Sequence, residues 1–503
     1  MDINWFQSAI QDLFSAQFWK EAFTYSLEKP WFFTEFSFLC AFGVFLIGYS
    51  IAFTKESLRK VYIILFSLFF YYKSSGPFLA LFALMILSDY LFALAIERSE
   101  GRKKKLYMFF ALSYSLSFLL YFKYANFIIE NCNFWLHTQF SPKDLFLPIG
   151  ISFYTFQSIS YVMDVYRKEI PATRNFIDYS FYMTFFPHLV AGPIVRAKDF
   201  LPQIFSPQAI NKALFKESIA RIIMGLVKKL FIADYLAKYS DIVHLAPSAY
   251  SGGENLIAMY AYTFQIYFDF SGYSDIALGI ALMLGYRLKE NFDNPYTSQN
   301  ITIFWRKWHM SLSSWLRDYV YIPLGGNRKG EFNTYLFLMI TMLVGGFWHG
   351  ASWRFVFWGF AHGLALAFHK AWIVLYTRKS ETPSWLKSPQ KWFNTFLTFN
   401  FVALCWIFFR ASSFQFAFQS IQKIFTTIQW VDFQGFWFAR PEIIIMLLVA
   451  AFIAFFPVKL KLQGIAFLQK LPTWTWIIWM MIALQIIVQF RDDVVQPFIY
   501  FQF

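Results

Sequence analysis

The chain of 503 residues has few charges and few cysteines for its length. Only 15% of its residues are charged, whereas a soluble domain carries about 25%. Hydrophobic residues make up 58% of the chain and aromatic residues 23%. This balance excludes an ordinary soluble domain and predicts an integral membrane protein. The three cysteines form no spaced pair, so the sequence predicts neither a zinc-binding nor a dithiol redox motif.

Sequence motifs of several soluble enzyme classes are also missing. The chain contains no Gly-x-Ser-x-Gly elbow, no HExxH and no GxGxxG between strand and helix patterns. This argues against a soluble hydrolase, a metalloprotease or a dinucleotide enzyme. Acidic residues number 30 against 44 basic ones. In a membrane protein such an excess is typical of cytosolic loops and of contact with anionic lipids, so we expect membrane lipids and no nucleic acid as partners.

Long apolar runs recur along the chain, and crossing a bilayer takes roughly 17–25 such residues. We expect about eleven transmembrane helices, with re-entrant segments where Gly and Pro interrupt the apolar pattern. A shorter apolar run, Val61–Tyr72, follows the first basic loop, Lys55–Lys60, and the second basic loop is Arg98–Lys105. Both loops are predicted to be cytosolic. The continuous runs are Phe36–Phe53, Pro77–Ile96, Leu106–Ile129, Ala213–Tyr235, Leu256–Leu284, Tyr335–Trp358, Phe355–Tyr376, Trp392–Phe409, Ile443–Phe456 and Trp474–Val488, and the interrupted ones are Pro148–Met163 and Phe176–Val195.

Composition also suggests a domain organisation for an all-α polytopic protein. Residues 1–30 read as an amphipathic interfacial segment, 31–144 as N-terminal transmembrane helices and 145–376 as the catalytic core. A basic linker rich in Lys, Ser and Pro is predicted at 377–391, followed by C-terminal transmembrane helices at 392–503.

Two histidines stand out in the core. His309 lies in FWRKWHMSLSSWLRDYVYIPLGGNR and His349 in GGFWHGASW. Histidine is the usual general base for activating a hydroxyl, and titratable groups at membrane depth are functional-site candidates. The alternative is that a Trp-flanked His349 only packs inside a helix bundle.

Basic and aromatic residues surround both histidines. Guanidinium groups grip phosphate bidentately, so this region fits a site for the phosphates of a coenzyme or carrier. A solvated basic face would show the same pattern. The candidate substrate-binding residues here are Trp305, Arg306, Trp308, Arg317 and Trp348.

A third polar cluster interrupts the apolar run QIYFDFSGYSDIALG. Asp269, Tyr273 and Asp275 lie in it, and carboxylates in hydrocarbon must find partners. We therefore expect this segment to face a polar interior. The residues are candidates for substrate binding, and ties between helices are the alternative.

Taken together, these motifs resemble the membrane-bound O-acyltransferase (MBOAT) family. The resemblance is to the bacterial branch that contains the alginate O-acetyltransferase membrane subunit and the teichoic-acid D-alanyl transfer protein. It covers roughly residues 40–410, with the motifs in order, and extends to the closing FIYFQF. The matching motifs are PIGISFYTFQ, DVYR, FFPHLVAGPIVR, FQIYFDFSGYSDIALG, ENFDNPY, FWRKWHMSLSSWLRDYVYIPLGGNR and GGFWHGASW.

The resemblance implies a fold and an activity. The fold would be a ring of tilted helices around a central tunnel that joins a cytosolic donor to an outward-facing acceptor. His349 matches the family's essential histidine and would be the general base, and His309 matches the second motif histidine. The donor would be acetyl-CoA or an acyl-carrier thioester, with no bound cofactor and no metal, and the acceptor would be an exported, alginate-like polysaccharide.

The resemblance also implies a partner and a location. The partner would be a separate periplasmic or extracellular serine-hydrolase-like acetyltransferase subunit, and the location the bacterial cytoplasmic membrane. D-alanyl transfer to teichoic acid and O-acetylation of peptidoglycan are the alternative reactions. A transporter for a small anion or a lipid is the alternative outside enzymes, but the chain shows no internal repeat of the kind many transporters have.

Overall fold

The computed structural model describes residues 30–190, 192–376 and 387–456, together with residues 20 and 23–26 and scattered positions between 463 and 499. All secondary structure in these residues is helical, as the sequence predicts. The α-helices are α1 Phe36–Ala52, α2 Glu56–Ser75, α3 Phe78–Glu97, α4 Gly101–Leu119, α5 Ala125–Leu136, α6 Ile151–Tyr166, α7 Phe176–Thr184, α8 Phe186–Leu189, α9 Ala197–Phe205, α10 Lys212–Leu226, α11 Asp234–Leu245, α12 Gly252–Met283, α13 Ile301–Lys307, α14 Met310–Leu316, α15 Ile322–Leu324, α16 Glu331–His349, α17 Trp353–Tyr376, α18 Lys387–Arg410, α19 Phe414–Thr426, α20 Trp430–Ala439 and α21 Pro441–Phe455.

Three π-helical segments continue α-helices without a break. They are Leu120–Tyr124 between α4 and α5, Val227–Ala233 between α10 and α11, and Arg317–Tyr321 between α14 and α15. A π segment inserts extra residues into the helical turn and re-aims the side chains that follow it, and such segments are frequent at functional sites.

The chain forms two compact units. The first runs through Phe122 and takes in Asp144–Val190 and Val195–Gln208. The second contains Lys123–Lys143, Ala191–Ile194 and the chain from Ala209 onward. In the first unit, the buried carboxylate of Asp89 accepts hydrogen bonds from Ser115 and Tyr179.

The second unit is built around α12, which is 32 residues long. A capping box starts this helix: the Ser251 side chain accepts from the Glu254 N–H and the Glu254 side chain accepts from the Ser251 N–H. Gly272 of α12 faces Gly225 of α10 so closely that neither position has room for a Cβ atom. These two glycines let the backbones of α10 and α12 approach each other.

Among the described residues, three helices are long and apolar enough to cross a membrane: Phe78–Glu97, Gly101–Leu136 and Pro389–Arg410. The helices α20 and α21 together are also long and apolar enough, but they are bent by 101° where they join. Counted as one span, they would make a fourth crossing. The count of about eleven crossings stays a prediction, as do the central tunnel and the predicted domain boundaries.

Two predicted runs differ from the observed helices. The run Tyr335–Trp358 was predicted as one span, but α16 ends at His349 and α17 begins at Trp353. The helix ends because Gly350 is extended, with φ −164° and ψ 150°. The prediction was wrong at this end because hydropathy does not register a turn made of apolar and small residues. The run Pro148–Met163 is predicted to be interrupted. In the structure its only break is at its start, at Gly150, and the helix that follows, α6, is continuous.

Parts of three predicted segments lie outside the described residues. The interfacial segment 1–30 is described only at residues 20, 23–26 and 30, and residues 377–386 of the predicted linker are not described. The last residues of that linker, 387–391, form the start of α18. The run Trp474–Val488 is described only at isolated positions, and the closing FIYFQF only at Phe498 and Ile499.

Candidate active site

His349 is the last residue of α16 and is 3% exposed. Its ring is enclosed by aromatic rings of its own helix and of α17 and α18. The ring centroids of Trp348, Trp358 and Phe409 lie 5.0, 5.1 and 5.2 Å from that of His349. Such neighbours exclude water from around the imidazole.

The backbone that carries His349 is held from the π segment Leu120–Tyr124. The last carbonyl groups of a helix have no partner within the helix. Lys123 Nζ donates to the carbonyl oxygens of Trp348 and His349 at 2.8 and 3.0 Å. Tyr124 Oη donates to the carbonyl oxygen of Phe347 at 2.8 Å, with its ring stacked on the Phe347 ring. Together, these two side chains cap the end of α16 and fix the position from which the His349 side chain extends.

His309 lies at the junction of α13 and α14 and is completely buried. Its backbone is left-handed, with φ 42° and ψ 56°. Asn291 holds this junction: its carbonyl oxygen accepts from the Met310 N–H at 2.9 Å, and its Oδ1 lies 3.1 Å from His309 Nδ1. Because an amide oxygen only accepts hydrogen bonds, Nδ1 carries the proton in this pair, and Nε2 is the basic nitrogen of the neutral ring.

Trp348 connects the two histidines. Its ring centroid lies 6.1 Å from that of His309 and 5.0 Å from that of His349. The structure therefore brings together three of the predicted site residues, which come from two different segments of the chain.

Trp305 and Trp308 continue this aromatic cluster. The Trp305 indole N–H donates to Nδ1 of His362 at 3.3 Å. The Trp308 ring is completely buried and packs 5.0 Å from the ring of Trp406. Both tryptophans are therefore packed inside the second unit rather than exposed on a surface.

The acidic candidates on α12 are paired with lysines. Lys229 donates to both Asp269 and Asp234, and Lys228 donates to Asp275. The second oxygen of Asp269 accepts from the Ile499 N–H at 3.0 Å. This is the geometry of ties between helices, the alternative reading of these carboxylates. A substrate contact for Asp269 or Asp275 stays a prediction.

Tyr273, also on α12, is 1% exposed, and its ring packs against Phe498 at 5.1 Å. Phe270, three residues earlier on α12, also packs against Phe498, and its ring contacts both Phe498 and His309, at 5.3 and 4.6 Å. Tyr273 is thus linked to His309 through the rings of Phe498 and Phe270, and its role in substrate binding stays a prediction.

The two arginine candidates are not part of the buried cluster. Arg306 is exposed. Arg317 is also exposed and forms a bidentate pair with the neighbouring Asp318, at 2.7 and 3.2 Å. Their position fits contact with a group at the surface, and binding of a donor's phosphates by either arginine stays a prediction.

Sequence reasoning missed four residues of this site: Lys123, Asn291, Trp358 and His362. Two of them carry a signal in the sequence. Lys123 is an isolated charge in the apolar run Leu106–Ile129, and His362 repeats the His-Gly pair of His349 thirteen residues later. Asn291 lies within the quoted motif ENFDNPY, but its contact with His309 depends on the fold.

The arrangement provides groups that are suited to proton transfer. Within the part of the chain that the structure describes, no group of three or more His, Cys, Asp or Glu side chains is placed to hold a metal ion. What the site offers is two buried imidazoles, several indole N–H groups and an enclosure of aromatic rings. A buried imidazole beside a reacting hydroxyl is the arrangement required of a general base.

Comparison with known proteins identifies the family. The model of the membrane-bound O-acyltransferase family matches residues 167–413. The chain is 44% identical over 378 residues to the probable alginate O-acetylase AlgI of Pseudomonas putida, which covers 74% of this chain and 76% of that protein. It is 37% identical over 414 residues to the peptidoglycan O-acetyltransferase of Helicobacter pylori, covering 75% of this chain and 76% of that protein.

A more distant relative is the teichoic acid D-alanyltransferase of Streptococcus thermophilus. It is 31% identical over 287 residues, covering 52% of this chain and 68% of that protein. The proteins named alginate O-acetylase thus have higher identity to this chain than the D-alanyltransferase has. The chain belongs to the membrane-bound O-acyltransferase family, in the branch of the alginate O-acetylases, and is a multi-pass membrane O-acyltransferase.

Proposed function

We propose that this enzyme transfers an acetyl group from a cytosolic thioester to an acceptor hydroxyl. The transfer serves the O-acetylation of an exported, alginate-like polysaccharide. The observation that carries the proposal is the end of α16, where His349 is buried among aromatic rings and its backbone is capped by Lys123 and Tyr124. The names of the alginate O-acetylase relatives support an acetyl group and a polysaccharide. Acetyl-CoA is the donor we favour, and an acyl-carrier thioester is the alternative.

In the proposed reaction, His349 acts as the general base. It takes the proton of the acceptor hydroxyl while the hydroxyl oxygen attacks the thioester carbonyl carbon. The carbonyl π electrons move onto the carbonyl oxygen and form a tetrahedral oxyanion. When this intermediate collapses, the C–S bond breaks, and the departing thiolate takes the proton from His349. The net result is one ester and one free thiol.

His309 is proposed to orient the donor or to stabilise the developing negative charge. Its position is fixed by Asn291 and by the contact with Phe270. A group that is already held in place pays little reorganisation cost when charge develops in the transition state. The contact of both histidines with Trp348 supports a shared role in one site.

The partner and the location belong to the same proposal. A separate serine-hydrolase-like subunit outside the membrane would receive or relay the acetyl group, as the resemblance to the alginate O-acetyltransferase branch implies. The membrane would be the bacterial cytoplasmic membrane, which has the cytosolic thioester on one face and the exported polymer on the other.

The test is transfer of labelled acetyl from acetyl-CoA to the outward face of membrane vesicles. Wild type is compared with His349→Ala and His309→Ala at matched protein levels. Loss of a general base lowers rates by about 10²–10⁴-fold, so we expect His349→Ala to lose that much in kcat. His309→Ala separates the two roles proposed for His309, because loss of donor orientation raises KM and loss of charge stabilisation lowers kcat.

Each contrary result has a definite meaning. Equal transfer by His349→Ala and wild type contradicts the assigned base. Transfer by wild type from a D-alanyl carrier thioester but not from acetyl-CoA contradicts the proposed donor and favours D-alanyl transfer. Label that appears in peptidoglycan and not in soluble polysaccharide contradicts the proposed acceptor.

A further inference from the structure

Four buried nitrogen atoms in the aromatic cluster that includes Trp358, a neighbour of His349, have no hydrogen-bond partner among the described residues. They are Nε1 of Trp308, Trp358 and Trp406 and Nε2 of His362. Each of these residues is at most 1% exposed. Buried polar atoms are normally hydrogen-bonded, and a group of exceptions calls for a physical reason.

All four atoms are donors. An indole N–H can only donate. For His362 the protonation follows from its neighbour: the Trp305 indole N–H donates to His362 Nδ1 at 3.3 Å. Nδ1 is therefore the acceptor nitrogen, and the neutral ring carries its proton on Nε2.

The four residues form one continuous group, which we call the donor cluster: Trp308, Trp358, His362 and Trp406. The ring centroids of Trp358 and His362 are 4.7 Å apart, those of Trp358 and Trp406 5.5 Å, and those of Trp406 and Trp308 5.0 Å. The Trp358 ring also contacts the His349 ring at 5.1 Å. The donor cluster therefore begins next to the proposed base.

The chemistry of the donor cluster selects its ligand. A hydroxyl or an amine in this place would need an acceptor for its own proton, and the four unpartnered atoms offer none. A phosphate or carboxylate would bring a net charge into a group of neutral rings, and burying an unpaired charge is costly. A neutral carbonyl oxygen has two lone pairs and no proton, so it is the group that these donors fit.

We propose that the donor cluster binds the carbonyl oxygen of the acyl thioester, with His362 and Trp358 as the donors nearest the reacting carbon. This inference rests on the proposed function and specifies how the same site recognises its donor. As the hydroxyl oxygen attacks, the carbonyl electron pair moves onto that oxygen, and the hydrogen bonds from Nε2–H and Nε1–H strengthen. Donors that are in place beforehand stabilise such an oxyanion more than the ground-state carbonyl.

The kinetic test removes one donor at a time. Trp358→Phe keeps an aromatic ring and loses the N–H, and His362→Phe loses the Nε2 donor. Loss of one such donor costs about 10²–10³-fold in kcat, and we expect that loss together with a smaller rise in KM, of up to about tenfold. His362→Gln restores an amide N–H near the same place and should recover at least tenfold of the loss. Trp430→Phe is the matched control, since Trp430 is 74% exposed, and should transfer like wild type.

A binding test separates this inference from the proposed function. Two CoA analogues are titrated into each variant: acetonyl-CoA, a ketone that keeps the carbonyl, and S-ethyl-CoA, which lacks it. In His362→Phe we expect weaker binding of acetonyl-CoA, by about tenfold, and unchanged binding of S-ethyl-CoA. Thermal unfolding of each purified variant shows whether it is folded, and the Trp358→Phe change tests the inference if His362→Phe is unstable.

Three results would overturn the inference. One is wild-type kcat in both Trp358→Phe and His362→Phe. Another is equal binding of the two analogues by wild type, which is expected if the donor cluster binds only water. The third is equal weakening of both analogues in His362→Phe, which points to a role in packing. Binding of neither analogue by wild type contradicts the proposed CoA donor itself.

Discussion

His309 has a left-handed backbone conformation, with φ 42°. It is one of four non-glycine residues with positive φ in the described chain. This conformation costs an L-residue roughly 1–2 kcal/mol. The cost is offset by Asn291, which bonds to the backbone after His309 and faces its Nδ1 atom. Strained residues that persist in this way cluster at functional sites, so the backbone adds an independent reason to place His309 in the site.

Lys123 gives the residue-scale prediction. Lys123→Met removes both hydrogen bonds to the carbonyl oxygens of Trp348 and His349. A small displacement of a catalytic group can cost up to about 10²-fold in rate, so we expect a loss of about 10- to 100-fold in kcat with little change in KM. Steady-state transfer of labelled acetyl measures both constants.

Two variants control this prediction. Lys123→Arg keeps a donor at the position and should recover part of the rate. Lys103→Met, at an exposed lysine, should behave like wild type. Wild-type kcat in Lys123→Met would show that His349 does not depend on the cap from the π segment.

At the scale of elements, α16 and α17 are joined by a turn of three residues and pack through glycines. A Cβ atom on Gly346 would overlap the Phe355 carbonyl oxygen, and one on Gly359 would overlap the Met342 carbonyl oxygen. The two backbones can approach only because both positions lack a side chain. This approach places Trp358 of α17 against His349 of α16.

Gly346→Ala tests this helix contact. Overpacking of a close interface costs about 1–3 kcal/mol, and we expect a lower unfolding temperature together with reduced transfer activity. Gly435→Ala is the matched control, because Gly435 is also within a helix and has open space around its Cα. An unchanged unfolding temperature in Gly346→Ala would contradict the close approach of α16 and α17.

At the scale of the whole molecule, the second unit contains both histidines, the donor cluster and the buried ion pairs of α12. Lys229 pairs with Asp269 and Asp234, and its side chain is only 4% exposed. Burial of an ion pair contributes little by itself, but removing one partner leaves an uncompensated buried charge. These ion pairs therefore connect the π segment Val227–Ala233 to α12, and each of the two elements stabilises the other.

Lys229→Met is expected to lower the free energy of unfolding by about 3–5 kcal/mol, the usual cost of breaking a buried pair. Thermal unfolding in detergent measures the change. Adding Asp269→Asn to Lys229→Met should restore part of the stability, because it removes one of the unpaired charges. Lys212→Met, at an exposed lysine, should be neutral, and equal unfolding temperatures for Lys229→Met and Lys212→Met would contradict the structural role of the pair.

Residue content and order are enough to predict the class and the family of this protein, and they single out His309 and His349 as candidates. Composition predicted a helical membrane protein, and the ordered motifs predicted the family, because both depend only on which residues are present and in what order. Hydropathy located α1, α3 and α12 closely, since long apolar runs have few alternatives to a helix in a membrane.

Which side chains contact one another depends on the tertiary structure. Lys123 is more than two hundred residues from His349 in the chain, and its role depends on the hydrogen bond that it donates to the His349 carbonyl at the end of α16. Likewise, the tautomer of His362 follows from Trp305, which lies 57 residues earlier in the chain. Such contacts depend on how the helices pack and on how each helix is rotated about its own axis. The periodicity of the local sequence specifies neither of these.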